Sequence, residues 1–128
     1  DKIINFLEIS NLMIFKNHSA RNLSVGQQQL LAVIRGLIIE PKILLLDEPC
    51  SNLDPKSTNI IEQIIEDSSK SGIKIILVTH DILQTKRLAD DIIFLHNGEI
   101  VEHSNKNFFF NESKCIQVEN YLNGKLLK

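Results

Sequence analysis

The sequence predicts an α/β layered fold with a largely parallel sheet. The continuous apolar run Ile43 to Leu46 suits a strand covered on both faces, as parallel strands are, and Ile73 to Thr79 reads as a second apolar strand. Around them lie stretches with apolar residues at helical spacing, and helices alternating with apolar strands imply parallel crossover packing. A length of 128 residues suits one domain, able to bury about two-thirds of its unfolded surface.

The elements follow in order. Asp1 to Met13 places Ile3, Ile4, Leu7, Ile9 and Leu12 in a loose helical pattern. Lys16 to Asn22 is polar and reads as a loop. Ser24 then stands as a cap before a helix whose wide apolar face carries Leu30, Leu31, Val33, Ile34, Leu37 and Ile38. Pro41 closes the connection to the first strand, which ends in Asp47. Asp54-Pro55 predicts an N-cap and a proline in the first turn of the next helix. That helix aligns Ile60, Ile61, Ile64 and Ile65, and Gly72 ends it. After the second strand, 82–89 reads as a short helix. Asp91 to Leu95 and Glu99 to Glu102 read as strands of a hairpin, because Asn97 and Gly98 both tolerate positive φ. Asn105 to Ser113 is polar apart from Phe108, Phe109 and Phe110, which suit a core or an interface. Lys114 to Leu127 predicts a last amphipathic helix.

Composition excludes some classes of function. Charged residues make up 23% and the formal net charge is -2, so no strong field draws the chain to nucleic acid or anionic lipid. The longest apolar runs are a few residues, where a membrane-spanning helix needs roughly 20. Asp1 is not followed by a basic, apolar and small-residue leader. Cys50 and Cys115 lie far apart without metal-ligand spacing, which suits free thiols in a reducing cytosol. Cys50 reads as a small packing residue.

Ligands of parallel α/β sheets sit beyond the carboxyl ends of the strands. Asp47 and His80 each follow a strand and are expected to meet there. An Asp at such a strand end can hold Mg²⁺, usually through water, and the ion offsets charge on nucleotide phosphates. The neighbouring Glu48 can orient or deprotonate an attacking water. The alternative is that Asp47-Glu48-Pro49 makes only a polar turn. Leu23 to Gln27 opens a helix, where backbone N–H groups and the dipole favour an anion. Ser24 adds a hydroxyl, and Gly26 lets a phosphate approach the backbone. The same residues also suit an ordinary cap and turn. His80 can donate to a phosphate or cap the helix after it. His18, His96 and His103 read as surface residues. Asp54 caps a helix whatever else it does.

In this order and spacing, the runs resemble the nucleotide-binding domain of ABC (ATP-binding-cassette) ATPases. Leu23 to Gln27 resemble its signature motif, Ile43 to Glu48 its Walker B strand and catalytic Glu, Ser51 to Asp54 its D-loop, and His80 its switch histidine. The resemblance covers nearly the whole chain, as the C-terminal part of such a domain. Residues 1–39 would end the helical subdomain, and 40–128 would run from Walker B to the C-terminus. It implies a partial P-loop NTPase fold. It also implies ATP and Mg²⁺ as cofactors, with Glu48 and His80 catalytic and Asp47 the metal contact. Ser24, Val25, Gly26, Gln27, Asp47 and Asp54 would be the nucleotide-binding residues. Family members work as sandwich dimers, so Ser24 and Gly26 would touch the ATP of the opposite subunit. The implied partners are a second ATPase subunit, membrane permease subunits and, through them, a substrate-binding protein, with no nucleic acid. The implied place is the cytoplasmic face of the inner membrane.

Two positions depart from the family. Val25 stands where the signature has its first Gly, so the loop should be extended there or bind differently. Leu30 stands where the family often has Arg. No GxxxxGK[ST] is present, and Gly124-Lys125 is the only Gly-Lys pair. The phosphate-cradling amides and Lys of a Walker A loop are therefore missing, as are the adenine-stacking aromatic and the Q-loop. The chain begins in mid-pattern, which gives the expectation of a truncated product or partial sequence, inactive alone. Gln84 to Glu102 and Asn120 to Leu127 look most like importer ATPases of the tungstate and phosphate type, with amino-acid importers next. Two other readings stand beside the importer. One is a remnant that docks on a complete cassette and offers only its signature. The other is a DNA-repair-type ATPase, a class whose coiled coil and basic patches are absent here.

Overall fold

A computed structural model describes residues 2–125. Leu126 and Leu127, part of the expected last helix, lie outside the described residues. The chain forms two compact units that divide between His80 and Asp81, where length alone suggested one domain. This line differs from the division into 1–39 and 40–128, which follows motifs, not packing.

In the first unit, α1 (Lys2–Ile9) leads through short 3-10 turns to α2 (Val25–Ile38). The strand β1 (Ile43–Asp47) follows, then α3 (Pro55–Lys70) and β2 (Lys74–Val78). The strands β1 and β2 pair in parallel, with Leu45 opposite Ile76 and Asp47 opposite Val78. Parallel neighbours need a crossover, and α3 supplies it. The helix α3 turns Ile61, Ile64 and Ile65 into the core beside Leu30, Val33, Ile34 and Leu37 of α2 and Leu46 of β1. Its end falls where expected, with Ser71 as C-cap and Gly72 at φ 97°.

One expectation needs correction. The apolar run of β1 was expected to be covered on both faces, yet Ile43 and Leu45 are exposed, as are Ile76 and Val78 of β2. The helices of this unit cover only the face carrying Leu44 and Leu46. A continuous apolar run reports that both faces are suited to burial, not that this chain provides both layers.

In the second unit, α4 (Ile82–Leu88) precedes β3 (Asp91–His96) and β4 (Glu99–Asn105), which pair antiparallel. Asn97 and Gly98 take φ of 50° and 81°, the two left-handed positions of the turn the sequence predicted. The strand β4 runs on to Asn105, whose side chain caps α5 (Lys106–Asn111) by accepting from the Phe108 N–H at 2.9 Å. The last described helix is α6 (Ile116–Leu122). Ile92, Phe94, Phe109 and Val118 form this core, with Tyr121 ringed against Phe94 at 5.1 Å between centroids. Of the Phe run, Phe109 is core, Phe110 is half-buried under the Lys86 ammonium at 5.0 Å, and Phe108 is exposed. His18 and His103 are exposed, and His96 and both cysteines are partly buried.

Candidate functional site

The parallel register puts the ends of β1 and β2 side by side, so the residues just beyond them must meet. The backbone N–H of Glu48 donates to the Val78 carbonyl at 2.9 Å, extending the ladder one step past Asp47. The chain then turns sharply, with Glu48 at φ 46°. A left-handed conformation at a non-Gly residue costs about 1–2 kcal/mol. This turn swings the Glu48 side chain across to β2. Its Oε1 accepts the backbone N–H of His80 at 2.9 Å and lies 2.7 Å from His80 Nδ1. The His80 side chain is 80% exposed and that of Glu48 31%. Asp47, Glu48 and His80 thus converge at the carboxyl edge of one sheet, as strand-end placement required.

Asp47 is the exposed last residue of β1. Among the described residues no group of three or more His, Cys, Asp and Glu could hold a metal by itself. That donor set fits Mg²⁺ only in the way Mg²⁺ often binds, through one carboxylate plus water and phosphate oxygens.

The second group of residues surrounds the start of α2. Ser24 Oγ accepts the Gln27 N–H at 3.3 Å, and Gln27 Oε1 accepts the Ser24 N–H at 2.9 Å. This reciprocal pair is a capping box, written in the sequence as Ser-x-x-Gln. Val25 is the first helical residue and is exposed. It is not among the residues with positive φ, so a Val here carries none of the left-handed strain that an extended loop was expected to avoid. Gly26 is packed against the start of α3. A β-carbon on it would stand 3.0 Å from Ser57 Oγ and 3.6 Å from Leu53 Cδ2.

Asp54 caps α3, accepting from the N–H groups of Lys56 at 3.0 Å and Ser57 at 3.1 Å, and from Ser57 Oγ at 2.6 Å. The Ser57 hydroxyl, then its N–H, holds the Asp54 carboxyl below its ordinary pKa of 3.8. Asn52, two residues earlier, also has positive φ, 58°. Ser57 therefore joins two predicted motifs without belonging to either. Its signal was local: a hydroxyl three residues after a capping Asp.

Residues 12–83 match the family model described as "AAA domain, putative AbiEii toxin, Type IV TA system". Solved structures agree in fold. A nucleotide-free ATP-binding cassette from an ABC transporter superposes with a TM-score of 0.78 at 22% identity, over 92% of this chain and 48% of that one. The ADP conformation of MJ1267, an ATP-binding cassette, gives 0.75 at 22%, again over 92% and 48%. The dimeric structure of MJ0796, a bacterial ABC transporter cassette, gives 0.71 at 34%, over 81% of this chain and 45% of that one. The chain thus spans about half the length of the cassettes it resembles.

Proposed function

The chain belongs to the AAA domain family, and on that footing we propose that it is the C-terminal part of an ABC-type ATPase domain, from the end of the helical subdomain through Walker B to the C-terminus. The observation that carries this reading is the bonding of Glu48 to His80 beside Asp47 at the carboxyl edge of a parallel pair. Asp47 would contribute the carboxylate contact to the Mg²⁺ of bound Mg-ATP. Glu48 would orient the attacking water and take its proton. His80 would hold Glu48 in line and meet the terminal phosphate. Ser24, Val25, Gly26 and Gln27 would face the ATP of a second ATPase subunit, and Asp54 would set the turn between the two sites. Dimeric MJ0796 supports that arrangement.

The finer proposal is an importer subunit. It sits at the cytoplasmic face of the inner membrane, drives permease subunits and receives cargo from a substrate-binding protein. An oxyanion such as tungstate or phosphate is the proposed cargo, and an amino acid the second. The support is the look of Gln84 to Glu102. A second reading, a stand-alone ATPase without a membrane partner, is supported by the match of residues 12–83 to the AAA domain of putative AbiEii toxins.

The test is phosphate release at saturating Mg-ATP from the complete ATPase containing this chain. Glu48→Gln keeps the side chain's size and loses the carboxylate, so turnover should vanish while ATP-driven dimerisation persists. Near-normal turnover in that variant removes Glu48 from the role. Oxyanion uptake into vesicles bearing the permease separates the importer from the stand-alone enzyme.

A further inference from the structure

Two turns of the first unit meet at Ser57, and each is closed on itself. The Ser24–Gln27 turn is closed by its reciprocal pair of bonds. The chain from Glu48 to Asp54 is closed by two bonds, from the Ser51 N–H to the Glu48 carbonyl at 3.2 Å and from the Leu53 N–H to the Cys50 carbonyl at 3.4 Å. Gly26 of the first turn lies over Leu53 and Ser57, and all three are half-buried. Asp54 gives one carboxylate oxygen to the N–H groups of Lys56 and Ser57 and the other to the Ser57 hydroxyl. A hydrogen bond to an ionised group is stronger than a neutral one, so the hydroxyl is held firmly in one place. Its oxygen is also the atom nearest to a β-carbon built on Gly26, at 3.0 Å, with Ser57 Cβ next at 3.4 Å.

We propose that Ser57 is a positioning residue for the ATP-driven dimer. It seats the Ser24–Gln27 turn on the Asp54 cap, so that the N–H groups at the start of α2 are already in place for the ATP of a second subunit. The inference rests on the ABC-type reading given above. Without the hydroxyl, the turn keeps its own capping box but loses its seat. Two subunits closing on ATP must then order the turn at that moment, and the ordering cost falls on dimerisation. Binding of ATP to one subunit does not use this turn and is unaffected.

The test uses the Glu48→Gln form of the complete ATPase and the ATP concentration at which light scattering shows a dimer. Ser57→Ala should raise that concentration roughly tenfold, the scale of one hydrogen bond to a charged group. The monomer's affinity for ATP, read by calorimetry, should not change. Ser71→Ala is the control: it removes a hydroxyl bond from the other end of α3, to the Asp67 carbonyl at 2.7 Å, and should leave dimerisation where it was. In the nucleotide-free protein, hydrogen exchange at the Gln27 amide should quicken with Ser57→Ala and not with Ser71→Ala. Four results each overturn the positioning role: dimerisation unshifted by Ser57→Ala, an equal shift from Ser71→Ala, a fall in the monomer's ATP affinity, or exchange at Gln27 indifferent to Ser57. A Glu48→Gln parent that never dimerises with ATP overturns the ATPase reading itself and, with it, the role of Ser57 in the dimer.

Discussion

Gly26 and Ser57 approach so closely that the first turn of α2 is built against the first turn of α3. A β-carbon at Gly26 would meet the Ser57 hydroxyl at 3.0 Å, while that hydroxyl is already held by Asp54 at 2.6 Å. Ser57 cannot turn aside without giving up its bond to the cap. The residue that resembles a signature glycine therefore has a packing duty in this chain besides any phosphate contact.

Gly26→Ala should lower stability. Helix propensity favours Ala by roughly 0.8–1 kcal/mol, but overpacking typically costs about 1–3 kcal/mol. The expected net loss is about 1 kcal/mol, read from the urea midpoint. Ser57→Ala in the same chain should recover part of it. Additive effects of the two changes would mean that the contact does not constrain the turn.

At Glu48 the left-handed backbone makes an unusual ordering. Glu48→Gly and Glu48→Ala both lose the bonds to His80, but only Gly is free of the left-handed penalty. The Gly variant should be the more stable by about 1 kcal/mol, against the usual preference for Ala. Thermal unfolding of the pair decides it, and an Ala variant of equal or greater stability would mean this turn is relaxed.

Adjacent leucines of β1 should behave in opposite ways. Leu46→Ala empties a buried site and should cost about 3 kcal/mol, whereas Leu45→Thr, on the bare face, should change stability by less than about 0.5 kcal/mol. Denaturant midpoints of the isolated chain test both. A large loss at Leu45 would show that its face is already covered.

The Asp54 cap gives a pH dependence of known sign. Its carboxyl titrates below 3.8 in the folded chain because Ser57 donates to the ionised form. A depressed pKa contributes stability above the unfolded value of 3.8 and loses it as pH falls through the lower folded value. The destabilisation caused by Asp54→Asn should accordingly shrink as pH drops below 3.8. A penalty that stays constant across this range would assign the cap to geometry without charge.

This chain alone should neither bind Mg-ATP tightly nor hydrolyse it. A helix N-terminus contributes about 1 kcal/mol to an anion, or about 2 when partly buried. Millimolar binding already requires about 4 kcal/mol. Calorimetric titration of the isolated chain should show no micromolar site, and turnover would mean that a phosphate cradle exists in residues given no such role.

The parts legible in the sequence were those fixed by near neighbours. Ser24, Asp54-Pro55 and Asn97-Gly98 announced their caps and turn because the bonding partners lie within a few residues. The meeting of Glu48 with His80 was also legible, since both follow strands that must run parallel. The bare face was not, because β1 carries the same apolar run whether or not its second cover is supplied. Nor was α5. Three successive Phe residues make no helical stripe, and the helix depends on the Asn105 cap and on Phe109 finding the core of the second unit. The backbone of Glu48 gave no signal, because a carboxylate is not a residue from which left-handed φ is read.

The crossover through α3 also sets when the site comes into being. The hairpin of β3 and β4 closes over two residues, and such local contacts form fast. The pairing of β1 with β2 must wait until all of α3 and β2 have been made, because long-range parallel contacts form only after the loop between them is closed. On the ribosome Glu48 emerges well before His80, with no Val78 carbonyl to accept its N–H and no imidazole to meet. A nascent chain stalled within α3, or one cleaved there, therefore carries Glu48 without the His80 partner that its carboxylate bonds in the finished unit. Protection of the Glu48 amide from hydrogen exchange reports a finished first unit, not a folding intermediate.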